Sequence, residues 1–218
     1  MSRKPFIKIC CIGSIQEAMM AIDAGTSALG LVGHMPSGPG VIDDGLIRMI
    51  AAAVPPPVAT FLLTSETIAS GIIRHHRKVN TSTLQLVDVV KPGSYAQIRK
   101  ALPSVKIVQV IHVAGKGSVD EALAVAGEVD ALLLDSGNPF LKIKILGGTG
   151  LKHDWRISRE IIEKSGVPVF LAGGLNPENV REAIDTVAPF GLDLCNGVRT
   201  DGKLDAGKLE AFFRVVEG

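Results

Sequence analysis

A strand–loop–helix unit recurs along the chain of 218 residues and limits the folds that the chain can adopt. Each unit has a short run rich in valine, isoleucine and leucine, then a polar or glycine-containing loop, then an amphipathic helix. About eight of these runs are predicted strands: Phe6–Cys11, Ala28–Gly33, Val58–Leu63, Leu84–Val87, Lys106–His112, Ala131–Asp135, Val167–Leu171 and Leu192–Cys195. So many strand–helix units in so short a chain favour an α/β protein with one (β/α)8 barrel, a TIM barrel, over a doubly wound open sheet. We expect this barrel to be a single domain over residues 1–218.

Composition and charge argue against several classes of protein. The chain has 23 Lys and Arg against 22 Asp and Glu, a net charge of +1, which disfavours nucleic acid or an anionic membrane as the main partner. No apolar run approaches the roughly 18 residues of a membrane span, and no signal sequence is evident. The cysteines number three, an odd count that disfavours a disulfide framework, and no metal-ligand spacing is present. We expect a cytoplasmic protein without a metal.

An anion site is predicted after the seventh predicted strand, Val167–Leu171. Gly173 and Gly174 allow a tight turn and leave their N–H groups uncovered. Asn176 then fits a helix N-cap, and Pro177 fits the first helical turn. A glycine turn that leads into a helix start favours the binding of an anion. The alternative is an ordinary connection between strand and helix.

Two reactive side chains stand near predicted strand ends, where barrels of this kind carry their chemistry. Lys8 and Cys10 share one face of a strand, so Cys10 is a candidate base if that face points inward; the alternative is a small buried apolar residue. Asp135 closes an apolar run and is a candidate general acid, against the alternative of a helix cap or turn former. The loop over residues 136–152 is long for such a connection and is predicted to bind a ligand.

These pieces occur together, and in this order, in a known enzyme family. The matching segments are Lys8-Ile9-Cys10-Cys11, Leu133-Leu134-Asp135, Gly147-Gly148-Thr149-Gly150 with Asp154-Trp155, Ala172 to Val180, and Asp193 to Val198. On these motifs the chain resembles the phosphoribosylanthranilate isomerase family over essentially its whole length, and most strongly in its C-terminal half.

The resemblance implies an intramolecular oxidoreductase, an aldose–ketose isomerase that needs no cofactor. The family carries out an Amadori rearrangement of N-(5'-phosphoribosyl)anthranilate in tryptophan biosynthesis, so a small phosphosugar is the implied partner of a monomer or homodimer. Asp135 is implied to protonate the ribose ring oxygen, and Cys10 to remove the C2′ proton. Backbone N–H groups are implied to hold the phosphate, from Gly148, Thr149, Gly150, Gly173, Gly174, Asn196 and Gly197.

The chain departs from the family pattern around the expected anthranilate. Residues 35–40 lack the arginine that faces the substrate carboxylate in the family, and Val87 stands where the family has a histidine. Cys11 replaces a glycine, and Arg199 replaces a glutamate. The phosphate half of the pattern is retained.

Three interpretations follow from this pattern. In the first, the protein is a divergent isomerase of the family, and Arg199 or protonated His34 contacts the substrate carboxylate. In the second, it is a paralogue that isomerises a different phosphorylated sugar. In the third, it is a phosphosugar-binding barrel without catalysis, which the retention of Cys10 and Asp135 argues against.

Overall fold

The eight predicted strands form one closed, parallel barrel, and a helix follows each strand. The structure, a computed structural model, describes residues 4–137 and 152–218. The barrel strands are β1 (Phe6–Ile9), β2 (Ala28–Val32), β3 (Ala59–Thr64), β4 (Thr83–Leu86), β5 (Lys106–His112), β6 (Ala131–Asp135), β7 (Val169–Leu171) and β8 (Gly191–Leu194). The helices are α1 (Ile15–Asp23), α2 (Asp44–Ala53), α3 (Ala69–Val79), α4 (Ser94–Ala101), α5 (Gly117–Ala126), α6 (Trp155–Ser165), α7 (Val180–Val187) and α8 (Ala206–Glu217). Each strand pairs with the next and β1 closes on β8, which confirms the predicted fold.

Two short elements follow β8. A 3-10 turn spans Asn196–Val198, and β9 (Arg199–Thr200) pairs antiparallel with β10 (Lys203–Leu204). None of the helices described is long and apolar enough to cross a membrane.

Several predicted boundaries are wrong by one to three residues, for local reasons. β1 stops at Ile9, because Cys11 has a φ of 61°, a left-handed conformation that a strand cannot continue. α7 begins at Val180 rather than at Pro177. The Asn176 side chain instead accepts hydrogen bonds from the N–H groups of the two residues before the helix, so it caps a turn.

The sequence also predicts capping boxes at Ser14-Ile15-Gln16-Glu17 and Ser118-Val119-Asp120-Glu121, and the two have different outcomes. The Ser14 hydroxyl accepts a hydrogen bond from the Glu17 N–H at 3.1 Å and caps α1 as predicted. The capping box at Ser118 is wrong, because α5 already begins at Gly117. The Ser118 hydroxyl instead donates to the carbonyl of His112 at 3.3 Å and so ties α5 to the end of β5.

Four phenylalanine rings fill the amino-terminal end of the barrel interior. The Phe170 ring lies at their centre, with centroid distances of 5.7 Å to Phe6, 6.0 Å to Phe61 and 5.5 Å to Phe190, all in edge-to-face arrangements. Gly191 leaves room for this cluster, since a Cβ at that position would lie 2.7 Å from the Phe170 ring. The cluster forms an apolar base beneath the polar residues at the other end of the barrel.

We expect the Phe170→Ala substitution to lower the free energy of unfolding by about 3–5 kcal/mol, because it leaves a cavity in a buried cluster. Urea denaturation followed by circular dichroism measures this loss. Val89→Ala is the control, because Val89 is 65% exposed, and it should change stability by less than about 0.5 kcal/mol. Equal losses in the two variants would contradict the proposed packing role of the ring.

Candidate active site

A cavity of about 260 Å³ opens at the carboxyl end of the barrel. Six of the predicted site residues line it: Cys10, Asp135, Gly173, Gly174, Asn196 and Gly197. Gly148, Thr149 and Gly150 lie outside the described residues. The structure therefore brings together residues from β1, β6, β7 and β8 that are far apart in the sequence.

A buried ion pair lies at the floor of the cavity. The Lys8 ammonium is 2.8 Å from a carboxylate oxygen of Asp193, and their side chains are 0% and 7% exposed. The two residues are register partners of β1 and β8. Burial lowers the pKa of Lys8, but the Asp193 carboxylate outweighs burial and raises it above its ordinary value. The ammonium also lies 5.4 Å from the centre of the Phe61 ring, which fixes a positive charge between the aromatic base and the cavity.

Cys10 lies one residue beyond β1, and its thiol is part of the cavity wall. Gly30 on β2 makes this position available, because a Cβ there would lie 2.8 Å from the Cys10 sulfur and 3.0 Å from the Lys8 ammonium. A hydrogen bond from the Cys11 thiol lowers the pKa of Cys10; burial opposes this effect, and the Lys8 charge supports it. A thiol with a lowered pKa close to a fixed cation can hold the thiolate form and accept a proton.

Asp135 is the last residue of β6, and its half-buried carboxyl group lines the same cavity. One carboxylate oxygen accepts a hydrogen bond from the Ser136 N–H at 2.7 Å, which fixes the orientation of the group. The cavity lining therefore includes a thiol from the end of β1 and a carboxyl group from the end of β6.

The glycine turn after β7 has the geometry predicted for an anion site. Gly173 and Gly174 have φ values of 81° and 66°, a backbone conformation that favours glycine. In the part of the chain that the structure describes, neither of their N–H groups donates a hydrogen bond. The Asn179 side chain donates to the Gly174 carbonyl at 2.9 Å and accepts from the Asn176 N–H at 3.0 Å, so the turn is held in shape. These N–H groups remain available to an anion.

The 3-10 turn after β8 packs directly against this glycine turn. A Cβ at Gly197 would overlap the carbonyl oxygen of Leu175, so only glycine allows this contact. Asn196 and Gly197 line the cavity beside Gly173 and Gly174. The two turns thus form one continuous wall of backbone at the edge of the cavity.

Comparison with known proteins identifies the family. The family model of N-(5'phosphoribosyl)anthranilate (PRA) isomerase matches residues 7–215. The chain belongs to this isomerase family. It is 37% identical over 194 residues to N-(5'-phosphoribosyl)anthranilate isomerase 2 of Methanosarcina mazei. The aligned residues make up 88% of this chain and 85% of that protein.

Solved structures of PRA isomerases have the same architecture. The phosphoribosyl anthranilate isomerase of Thermotoga maritima matches with a TM-score of 0.81 at 27% identity, over 98% of each chain. A PRA isomerase in complex with reduced 1-(o-carboxyphenylamino)-1-deoxyribulose 5-phosphate matches with a TM-score of 0.77 at 25% identity, again over 98% of each chain.

The structure does not support the carboxylate contact predicted for Arg199, at the position where the PRA isomerase pattern has glutamate. Its guanidinium is buried and forms a two-pronged ion pair with Glu17, with N–O distances of 3.0 and 3.1 Å. It also donates to the carbonyls of Cys10 at 3.2 Å and Cys11 at 2.6 Å. Arg199 therefore holds the chain that follows β1 and does not line the cavity.

His34 also lies outside the cavity lining in the structure. The residue is exposed, and its carbonyl accepts a hydrogen bond from the Ser65 hydroxyl at 2.9 Å. Among the described lining residues there is no lysine, arginine or histidine, whereas Asp135 and Asp193 are both present. Neither cation that was predicted to contact the carboxylate is therefore placed to do so.

Sequence reasoning missed Gln85 as a cavity residue. Gln85 is 3% exposed on the inner face of β4 and lines the cavity, and its side-chain oxygen accepts no hydrogen bond from the described residues. A lone polar residue within an apolar strand was the available signal, since such a residue needs a partner once buried.

The Glu17–Arg199 pair predicts a dependence of stability on pH. Partial burial raises the pKa of Glu17, but hydrogen bonds from Arg199 and from the N–H groups of Leu204 and Gly13 outweigh burial and lower it. Such a carboxylate stabilises the fold above its unfolded-state pKa of about 4.3, and this contribution is lost as the pH falls through the folded-state pKa.

We therefore expect Glu17→Gln to lower the free energy of unfolding at pH 7 by about 1.5–3 kcal/mol. The difference from the parent protein should shrink as the pH falls through the lowered folded-state pKa of Glu17, because Glu17 then becomes neutral in the parent as well. Urea titrations at a series of pH values measure both effects. Glu163→Gln, which breaks an exposed pair with Arg159, is the control and should cost only about 0.3–0.5 kcal/mol at pH 7. A difference for Glu17→Gln that persists unchanged to low pH would contradict the ion pair as the cause.

Proposed function

We propose that the protein catalyses the Amadori rearrangement of N-(5'-phosphoribosyl)anthranilate to 1-(o-carboxyphenylamino)-1-deoxyribulose 5-phosphate, a step of tryptophan biosynthesis. The proposal is supported by the position of Cys10 and Asp135, which line one cavity beside the two glycine turns in a chain of the PRA isomerase family. The reaction moves hydrogen within one molecule: C1′ is reduced and C2′ is oxidised. Its stoichiometry therefore requires no external oxidant or reductant, and we propose an intramolecular oxidoreductase without a cofactor.

In the proposed mechanism Asp135 is the general acid. Its carboxyl group protonates the ribose ring oxygen, the bond from that oxygen to C1′ breaks, and the ring opens to a protonated Schiff base. Cys10 as thiolate then removes the C2′ proton, and the electron pair of the C–H bond neutralises the Schiff base to give an enolamine. Return of the proton from Cys10 to C1′, with loss of the C2′ hydroxyl proton, gives the ketone product, and uptake of a proton by Asp135 restores the acid. The fixed charge of Lys8 favours the thiolate on which the second step depends.

We propose that the 5′-phosphate binds at the wall formed by the two glycine turns. The uncommitted N–H groups of Gly173 and Gly174 support this position, and Gly197 holds the second turn against the first. Backbone donors suit a doubly charged ligand in a cavity whose described lining has no basic side chain. Phosphate at one end would orient the ribose so that its C1′ and C2′ lie between Cys10 and Asp135.

The test is a fluorescence assay with freshly generated phosphoribosylanthranilate, comparing the parent protein with Cys10→Ser and Asp135→Asn. We expect the parent to consume the substrate and each variant to lose on the order of 10²–10⁴-fold in kcat, the usual contribution of a general acid or base. Asp120→Asn, an exposed change on α5, is the matched control and should retain full turnover. Turnover in Cys10→Ser equal to that of the control would exclude Cys10 as the base.

A second candidate is favoured by one observation, the lack of a basic side chain among the described lining residues. It is isomerisation of a phosphorylated aminosugar whose aglycone carries no carboxylate, since an unpaired carboxylate would be costly to bury. The two candidates are separated by measuring the rates at which the protein consumes phosphoribosylanthranilate and phosphoribosylaniline. The first rate is followed by fluorescence and the second by absorbance. Faster consumption of the aniline compound would favour the second candidate.

The phosphate site has its own test, because inorganic phosphate should bind the protein without any turnover. We expect Gly174→Ala to weaken phosphate binding by about tenfold or more, since a side chain at positive φ costs about 1–2 kcal/mol and distorts the turn. Isothermal titration calorimetry measures the affinity. Gly202→Ala is the control: Gly202 has a φ of 76° but lies in the β9–β10 turn, with open space where a Cβ would stand. Equal loss of affinity in both variants would contradict the assignment.

A further inference from the structure

Three thiols meet at the rim of the cavity, and two of them are in direct contact. The sulfur of Cys195 lies 2.7 Å from the sulfur of Cys11, closer than two non-bonded sulfur atoms normally pack. Cys10 is the neighbour of Cys11, and all three cysteines are free. The contact joins the residue after β8 to a residue two positions beyond β1.

The backbone fixes this contact in place. β1 and β8 are paired with Ile9 opposite Leu194, and the Cys10 N–H donates to the Leu194 carbonyl at 2.7 Å just beyond the paired segment. Continued beyond this pair, the register places Cys195 opposite Cys10, one residue before Cys11. The 2.7 Å contact shows that the Cys11 side chain nevertheless reaches the Cys195 sulfur, which is the approach that a disulfide bond requires. Cys195 is partly exposed, and Cys11 and Cys195 both line the cavity. A small solute therefore reaches the two sulfur atoms through the opening of the cavity.

We propose that Cys11 and Cys195 are a thiol pair that a peroxide converts into a reversible disulfide bond across the rim of the cavity, and that the disulfide form turns over substrate more slowly. The site is distinct from the acid and base of the proposed mechanism. Both cysteines stand where the family motif has other residues, a glycine and a serine, so the pair is a feature of this chain.

The chemistry balances with hydrogen peroxide as the oxidant. The Cys195 thiolate attacks one peroxide oxygen, hydroxide leaves, and a sulfenic acid forms. The Cys11 sulfur then attacks the sulfur of the sulfenic acid; the S–O bond breaks, and water leaves with the proton of Cys11. Two thiols have lost two protons and two electrons, which together are two hydrogen atoms, and the peroxide has become two molecules of water. A dithiol such as dithiothreitol reverses the change by thiol–disulfide exchange.

The disulfide would act on the proposed active site through two contacts. Cys11 would have no thiol hydrogen left, so its lowering effect on the pKa of Cys10 would be lost while Lys8 and Asp193 remained in place. The bond would also tie the Asn196–Val198 turn to the end of β1. This effect on turnover rests on the proposed function, whereas formation of the disulfide does not.

The test treats the reduced protein with an equimolar amount of hydrogen peroxide and follows intact mass, cross-linked peptides and turnover. We expect the parent to lose two hydrogen atoms and form a peptide that joins the segment of Cys10 and Cys11 to that of Cys195. Cys10→Ser should still form the link, whereas Cys11→Gly, which suits the φ of 61°, and Cys195→Ser should not. In the parent, turnover should fall by about tenfold or more and return with dithiothreitol.

Each other outcome counts against the proposal. No link, a link that persists in Cys11→Gly, or oxidation confined to Cys10 would overturn the assignment of the pair. A link that leaves turnover unchanged would overturn its effect on the site. If the link forms as expected but the reduced parent has no turnover, the proposed function fails and the disulfide stands, so the two failures are distinguishable.

Discussion

The buried ion pair between Lys8 and Asp193 is the interaction on which the arrangement of the site depends. A charge removed from water is costly, and each of these two charges is tolerable only because the other lies 2.8 Å away. The pair therefore selects one register for the closure of β1 on β8. A slip by one residue would turn Lys8 toward the surrounding helices and leave Asp193 alone in the barrel. The same register brings Cys10, Cys11 and Cys195 to one edge of the cavity.

The residues packed around the Lys8–Asp193 pair differ in character on its different sides. Beneath it, the ring of Phe61 faces the ammonium, and the other three rings of the phenylalanine cluster close the amino-terminal end of the barrel. Beside it, Gly30 supplies the volume that both Lys8 and Cys10 occupy. Above it, the described lining has two carboxylates and no basic side chain, so the proposed phosphate site relies on backbone N–H groups among these residues. This agrees with a chain whose overall net charge is only +1.

The sequence predicts the parts of this structure that depend on local patterns. Apolar runs and glycine turns identify the barrel, and a polar residue at the end of an apolar run identifies Asp135 as a lining residue. Local patterns do not predict contacts between segments that are distant along the chain. Arg199 looks like a free cation near the mouth until the fold brings it to Glu17, 182 residues away along the chain. The start of α7 is misjudged for a related reason, because the Asn176 side chain satisfies a turn that precedes the helix.

Arg199 also explains how Cys11 can stand where the family pattern has glycine. A residue with a side chain costs about 1–2 kcal/mol in the left-handed region, so a φ of 61° at Cys11 needs compensation. The Arg199 guanidinium donates to the carbonyl of Cys11 at 2.6 Å and is itself held by Glu17, and a hydrogen bond from a charged group contributes about 1.5–3 kcal/mol. The contact is therefore strong enough to offset the strain. The arginine in place of glutamate, the cysteine in place of glycine and the neighbouring Cys195 form one connected set of changes. Together they alter the surroundings of Cys10 while the Lys8–Asp193 pair beneath it keeps the barrel closed.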